Sequence, residues 1–172
     1  MYKFSVVIPA YNASSTIEAS LRSLERQTFR PDEIIIVDDG STDDTVQIIE
    51  HFKINSDIMI RTFKNNSNMG ICRSLNHGIT KANFSWIARM DADDICRSDR
   101  FERQFDYIGI HELDVCGSAI QLFDKTGDLD EITFPETDVA IRNSLLFSCP
   151  IAHPTVIFNK EKLGCIQYDN NF

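Results

Sequence analysis

No stretch of this chain is apolar for anything near the ~20 residues that a membrane-spanning helix needs. The short run that opens it, MYKFSVVIPAYN, is too brief for a secretory leader and is broken by Pro9. Basic clusters are missing as well. The chain sets 26 Asp plus Glu against 17 Lys plus Arg, a formal charge of -9, with no Lys/Arg face for a nucleic-acid polymer. A small phosphorylated ligand is compatible with that charge if a metal ion or a helix N-terminus offsets it. The five cysteines (Cys72, Cys96, Cys116, Cys149, Cys165) are odd in number and scattered, with no C-x-x-C pair. They argue against a disulfide framework or a zinc site and fit reduced thiols in a cytoplasmic setting. Glycine is absent from PAYNASS, the turn after the first apolar run, so the G-x-G-x-x-G cradle of a dinucleotide site is not there. There is no internal repeat, low-complexity tract or linker, and 172 residues suit one domain with a core of its own.

What is present is alternation. FSVVIPAY (4–11) is a nearly continuous apolar, β-branched run, as expected for a strand covered on both faces. Ser15-Thr16-Ile17-Glu18 has the spacing of a capping box, and Ile17, Leu21 and Leu24 follow at helical spacing until Thr28 and Pro31. EIIIVDD (33–39) reads as a second buried strand, and Val46, Ile49 and Phe52 as the stripe of a second helix. IMIRTF (58–63) predicts a third strand, Ile71, Leu75, Ile79 and Ala82 a third helix, and FSWIARM (84–90) a fourth strand. Phe101, Phe105 and Ile108 mark a further helix capped by Ser98 or Asp99. Such alternation implies an α/β fold with a doubly wound, mostly parallel sheet. From residue 114 the rhythm changes to a hairpin (DVCGSAIQLFD, a KTGD turn, EITF), a helix near 138–147 and a strand at PTVIF, all read as an extension of the same sheet.

Ligands of open α/β sheets gather at the carboxyl ends of the strands, and three polar clusters fall there: PAYN, DDGSTDD and MDADD. MDADD places Asp91, Asp93 and Asp94 in one short stretch without a neighbouring lysine. It is either a solvated acidic turn or a seat for a hard cation, since Mg²⁺ and Mn²⁺ take carboxylate oxygens and complete their shell with substrate phosphates. In DDGSTDD, Gly40 suits a tight turn and Ser41 or Thr42 a helix cap, which leaves Asp38 and Asp39 at the end of a buried strand. A carboxylate there needs a partner to offset its desolvation, and a nucleobase imide N–H would serve Asp39. A flat ligand could pack beside Tyr11.

The motifs SVVIPAYN, VDDGSTDDT, Asn68-x-Gly70 and MDADD occur in the order and approximate spacing of the family 2 glycosyltransferases with the GT-A fold, which the chain resembles from residue 4 to about 103. CPIAHPTVIF (149–158) and GCIQYDNNF (164–172) resemble segments leading to the acceptor side in bacterial members. The resemblance implies one GT-A domain over 1–172, with a donor-binding half (1–113) and the start of an acceptor half (114–172) that is cut short. By the same resemblance Pro9, Ala10 and Tyr11 line the base, Asp39 accepts from uracil N3–H, and Asn68, Gly70 and Arg73 lie near the ribose or diphosphate. Asp91 and Asp93 form the D-x-D pair, with Asp93, helped by Asp94, on Mn²⁺ or Mg²⁺. Arg73 also reads as a solvated helix charge, and His153 as a structural histidine.

The implied activity is inverting transfer of a hexosyl or N-acetylhexosaminyl group from a nucleotide-diphosphate sugar, a UDP-sugar in particular. The expected acceptor is a saccharide or lipid-linked hydroxyl in cell-surface polysaccharide or glycolipid synthesis. A cytoplasmic protein, peripheral at the inner face of the membrane in its full-length form, and a homodimer are further expectations. Family members place the base that deprotonates the acceptor after a segment like YDNNF. The base is therefore expected beyond Phe172, with Asp169 as the candidate inside the chain. Two rivals share the donor residues or the architecture: a non-catalytic nucleotide-sugar binding module, and a sugar-nucleotidyltransferase, whose glycine-rich basic loop is absent here.

Overall fold

The computed structural model describes residues 2–124, 126–164 and 167–169. The chain begins β1 (Phe4–Ala10), α1 (Ile17–Glu25), β2 (Glu33–Asp38), α2 (Thr45–Asn55), β3 (Met59–Lys64), α3 (Ile71–Lys81), β4 (Trp86–Arg89) and α4 (Arg100–His111). It continues β5 (Val115–Cys116), β6 (Ile120–Asp124), β7 (Gly127–Ile132), α5 (Asp138–Ser144), a 3₁₀ turn (His153–Thr155) and β8 (Ile157–Asn159). The central sheet runs β3-β2-β1-β4-β8-β5. β1 pairs in parallel with β2 and β4, and β2 with β3, whereas β8 runs antiparallel to β4 and β5.

Strands β1 and β2 explain their own sequences. Phe4, Val6, Ile8 and Ala10 of β1, with Ile34 and Ile36 of β2, face a core that also holds Ile17, Leu21 and Leu24 of α1, Ile49 and Phe52 of α2, and Phe101, Phe105 and Ile108 of α4. Val7, Ile35 and Val37 point to the opposite side, against Leu75 and Ile79 of α3 and Ala82 just after it, with Ile87 and Phe158. Successive side chains of a strand alternate between faces, so a strand covered on both sides must be apolar at nearly every position. Each fully buried Ile or Phe contributes roughly 1.5–3 kcal/mol.

α3 lies close to the sheet because of Gly78. A Cβ built there would stand 2.5 Å from Val7 Cγ1 and 3.3 Å from Val37 Cγ2. Gly→Ala normally favours a helix, but here the added methyl overpacks the core, so Gly78→Ala is expected to destabilise by about 1–3 kcal/mol. A urea midpoint at or above that of the native chain would refute this packing argument.

Several local expectations are corrected. The capping box is not formed: the N-cap of α1 is Thr16, which makes no side-chain cap bond, and Glu18 instead takes Arg22 in an ion pair at 2.6 Å. Ser41 and Thr42 do not cap α2, whose N-cap is Asp44. Asp99 stands at the N-cap of α4 without a side-chain cap bond, its carboxylate facing Arg97 and Arg103. Residues beyond 114 do not all extend one sheet. β5 and β8 join the central sheet, while β6 and β7 form a separate two-stranded sheet. Pro154 and Thr155 are in the 3₁₀ turn, so the strand expected at PTVIF starts only at Ile157. Lys125 of the KTGD turn, Cys165 and the final Asn170, Asn171 and Phe172 lie outside the described residues.

Candidate functional site

In a sheet of order 3-2-1-4 the helices change faces between the first and fourth strands, and the loops leaving those strands part to form a crevice. A cavity of about 450 Å³ opens there, lined by Pro9, Ala10 and Tyr11 after β1, Asp39 after β2, and Asp91, Ala92 and Asp93 after β4. Asn68, Gly70, Ile71 and Ser74, around the start of α3, close its other side. The three polar clusters seen in the sequence therefore share one rim.

The loop after β2 braces the loop after β1. Asn12 N–H donates to Ser41 Oγ (2.9 Å), Ala13 N–H to Thr45 Oγ1 (2.7 Å) and Ser14 N–H to Asp43 Oδ2 (3.1 Å), while Thr42 N–H donates to Asn12 Oδ1 (2.9 Å). Here is the use of GSTDDT: its hydroxyls and carboxylate satisfy the backbone N–H groups of Asn12, Ala13 and Ser14, just past the end of β1. Asn12 takes a φ of 49°, a left-handed conformation that Asn tolerates better than most residues.

Asp39 is buried and fully engaged with the turn before α3. Its Oδ1 accepts from Asn65 Nδ2 (2.7 Å) and Met69 N–H (2.9 Å), and its Oδ2 from Gly70 N–H (2.8 Å). Burial alone would raise this carboxyl, but the Asn65, Met69 and Gly70 hydrogen bonds outweigh it and hold Asp39 below the usual carboxylate range. The Ser74 side chain also hydrogen-bonds this carboxylate, and both residues line the cavity wall. Asn65 is fixed in turn, donating to Ser74 Oγ (2.9 Å) and lying 3.2 Å from His77 Nδ1 through its Oδ1. Gly70 opens α3 at a φ of 88°, where L side chains are strained, and Gly40 at 79° approaches Ser67 so closely that a Cβ would lie 2.8 Å from its carbonyl carbon. Asp38 is different. It is wholly buried and turned from the cavity, accepting from Ser41 N–H (3.1 Å) while its Oδ2 has Lys64 Nζ at 3.9 Å.

The acidic turn resolves into unlike parts. β4 ends at Arg89, and Asp94 N–H reaches back to Asp91 O (3.4 Å), so the stretch is a turn and not extended backbone. Asp91 is gripped at both oxygens by the buried Arg89 guanidinium, Nη2–Oδ1 at 2.6 Å and Nη1–Oδ2 at 3.0 Å. Arg89 Nε has no hydrogen-bond partner, and its carbonyl accepts from Arg100 Nη2 (3.0 Å). Burial pushes the Asp91 carboxyl up despite Arg89, with the Asp93 charge adding to it. Asp94 is raised by burial and by the charges of Asp91 and Asp93. Among the described residues Asp93 is exposed and takes no hydrogen bond or ion pair. No group of three His, Cys, Asp or Glu among the described residues could hold a metal ion alone. The donor set at hand is one accessible carboxylate with mutually repelling neighbours, which suits a hard cation that borrows the rest of its shell from a phosphorylated ligand.

On the far side of Arg89, His153 Nε2 lies 2.8 Å from the Tyr168 hydroxyl, the rings packed edge to face at 5.0 Å between centroids. Burial and the Arg89 charge push His153 down to about 4, so it is neutral at pH 7. Its contacts here are a hydrogen bond and an edge-to-face packing with Tyr168. Asp169, next to Tyr168, is exposed.

Of the residues singled out in the sequence, Pro9, Ala10, Tyr11, Asp39, Asn68, Gly70, Asp91 and Asp93 meet in the cavity, whereas Asp38, Arg73 and Asp94 do not line it. Ile71, expected in the core stripe of α3, is exposed (49%) at the cavity wall instead. Sequence reasoning missed Ser74 and, above all, Arg89. A charge inside FSWIARM was the available signal, since a buried guanidinium demands a carboxylate.

An α/β fold with nucleotide-scale polar loops at its switch point defines a GT-A architecture, and solved structures agree. The chain superposes on S. aureus TarS (residues 1–349) in complex with UDP with a TM-score of 0.78 at 25% identity, covering 98% of this chain and 51% of that one. The TarS complex with UDP-GlcNAc gives 0.74 at 27% identity, over 91% of this chain and 45% of that one. The sequence profile "Glycosyl transferase family 2" matches residues 5–163, and the chain belongs to that family. Among its relatives are the amylovoran biosynthesis glycosyltransferase AmsE of Erwinia amylovora, 32% identical over 93% of this chain, and the O-antigen biosynthesis glycosyltransferase WbnJ of Escherichia coli, 30% identical over 91%. The chain spans 61% of the length of each. Among the described residues no helix is long and apolar enough to cross a membrane.

Proposed function

We propose that this chain forms the nucleotide-sugar site of an inverting glycosyltransferase that takes a UDP-sugar, with Mn²⁺ or Mg²⁺, and passes the sugar to a saccharide or lipid-linked hydroxyl. The observation that carries the reading is one cavity lined at once by Pro9 to Tyr11, Asp39, Gly70 and the Asp91–Asp93 turn. TarS complexes with UDP and UDP-GlcNAc support the nucleotide, and amylovoran and O-antigen relatives support a cell-surface polysaccharide or glycolipid as product.

Tyr11 packs along the base, and the Asp39 carboxylate at the cavity wall accepts from the imide N3–H of uracil. The start of α3, with its unpaired amides and positive dipole end, faces the ribose or diphosphate, and Arg73 on its exposed side adds charge. Asp93 is the metal ligand, while Arg89 keeps Asp91 occupied and aimed along the rim. A cation held there supplies Lewis-acid neutralisation of the departing diphosphate. The acceptor oxygen attacks the anomeric carbon from the face opposite the diphosphate; the carbon–oxygen bond to the diphosphate breaks, and the acceptor proton passes to a carboxylate base.

Asp39 tests the nucleotide assignment. Losing a hydrogen bond to a charged group costs about 1.5–3 kcal/mol, so Asp39→Ala should lower the ratio of UDP to CDP affinity by roughly tenfold or more. The ratio is the proper readout, because loosening of the 65–70 loop weakens both nucleotides alike. Calorimetry in Mn²⁺ that finds the ratio unchanged assigns base reading to another residue.

A further inference from the structure

The geometry points to Asn76 as a positioning residue that assembles the acceptor side of the site, an inference that rests on the donor-site reading above. Asn76 lies on α3, little more than half a turn beyond Ser74 of the cavity wall. Its side chain makes a two-point contact with the backbone of a residue 92 positions away. Asn76 Nδ2 donates to Tyr168 O (2.9 Å), and Tyr168 N–H donates to Asn76 Oδ1 (2.8 Å). A primary amide that pairs with both polar groups of one residue imitates a β-ladder partner, and it fixes that residue in orientation as well as in place. Tyr168 belongs to no strand or helix, so no backbone ladder performs this task.

The far end of Tyr168 is fixed too. Its hydroxyl meets His153 Nε2 at 2.8 Å, and its half-buried ring packs against the cluster of Leu75, Ile79 and Ile87. His153 opens the 3₁₀ turn that leads into Val156, whose carbonyl accepts from Arg89 N–H (2.8 Å), so the Tyr168 hydroxyl is tied to the end of β4 that carries the Arg89–Asp91 pair. One helix therefore touches both sides of the reaction. Its first turn walls the donor cavity, and its second turn holds 167–169, including the exposed Asp169, next to the acidic turn. Asn76 does not line the donor cavity, so its loss should spare nucleotide binding and release the segment.

The test compares the native chain with Asn76→Ala and with Asn76→Asp, which can accept from the Tyr168 N–H but cannot donate to its carbonyl. Amide hydrogen exchange at Tyr168 should accelerate at least about tenfold in Asn76→Ala and less in Asn76→Asp, while the UDP Kd in Mn²⁺ stays within about twofold. In the full-length protein, with UDP-GlcNAc as probe donor and 4-nitrophenyl glycosides as probe acceptors, kcat should fall by about 10–100-fold in Asn76→Ala at nearly constant donor KM, as misplacement of a reacting group predicts. Unchanged exchange at Tyr168, or a UDP affinity that falls in step with kcat, overturns the assignment. A native chain that binds no UDP refutes the donor-site reading instead, and the exchange rates then still decide whether Asn76 holds the segment.

Discussion

Asp93→Ala is expected to abolish UDP binding in Mn²⁺ while moving the melting temperature by no more than about 2 °C. The second half follows from exposure: Asp93 is exposed and, among the described residues, takes no hydrogen bond or ion pair. Surface substitutions of that kind stay within ±0.5 kcal/mol or so, which is roughly 1–2 °C for a chain of this size. The first half follows from charge. A protein of formal charge -9, with three carboxylates at the cavity rim, repels a diphosphate unless a cation stands between them. The loss should exceed the 10–100-fold or so that removing an outer-shell partner of a metal costs. Calorimetry with UDP in Mn²⁺ and in EDTA checks both halves. Equal affinity of the native chain in the two buffers would show that no metal bridges protein and diphosphate.

Two residues away, Asp91→Ala should do the opposite and cost stability first. Arg89 is 3% exposed, and its Nε already lacks a partner. Removing the carboxylate that grips its other two nitrogens leaves a buried guanidinium uncompensated, at about 3–5 kcal/mol, or roughly 6–20 °C in melting temperature. Arg89→Met should cost less, because the Asp91 side chain keeps 28% of its surface in water and can stay hydrated. The double variant Arg89→Met with Asp91→Leu should recover most of the loss, since an apolar pair of similar volume often replaces a buried ion pair without penalty. If Asp91→Ala and Asp93→Ala melt together, the Arg89–Asp91 pair does not carry this load.

These contrasts show how differently neighbouring letters of one motif behave. In MDADD the two aspartates of the D-x-D pair look equivalent, and only the turn separates them, one onto a buried arginine and one into the cavity. Asp39 gives a similar lesson. Its place at the end of a buried strand was legible, and so was its need for a partner, but the partners proved to be Asn65, Met69, Gly70 and Ser74 of its own chain. The capping box misled because its spacing is local and common, whereas Glu18 found a nearer partner in Arg22 one turn along the helix.

By itself the sequence determined the alternation of strand and helix and the identity of the inner strands. Both follow from periodicity and from the burial of every position in β2 and all but Pro9 in β1, properties that neighbouring residues carry. Together with the rule that ligands gather at carboxyl ends of parallel strands, it also located most of the cavity rim. Tertiary structure alone decided the rest: the turn of Ile71 from core to cavity wall, the pairing of Arg89 with Asp91, the bracing of PAYNAS by GSTDDT, and the hold of Asn76 on Tyr168. Each is a contact whose energy depends on where distant backbone has been brought. No local pattern encodes that a helix amide will meet a residue, 92 positions on, that has no backbone ladder.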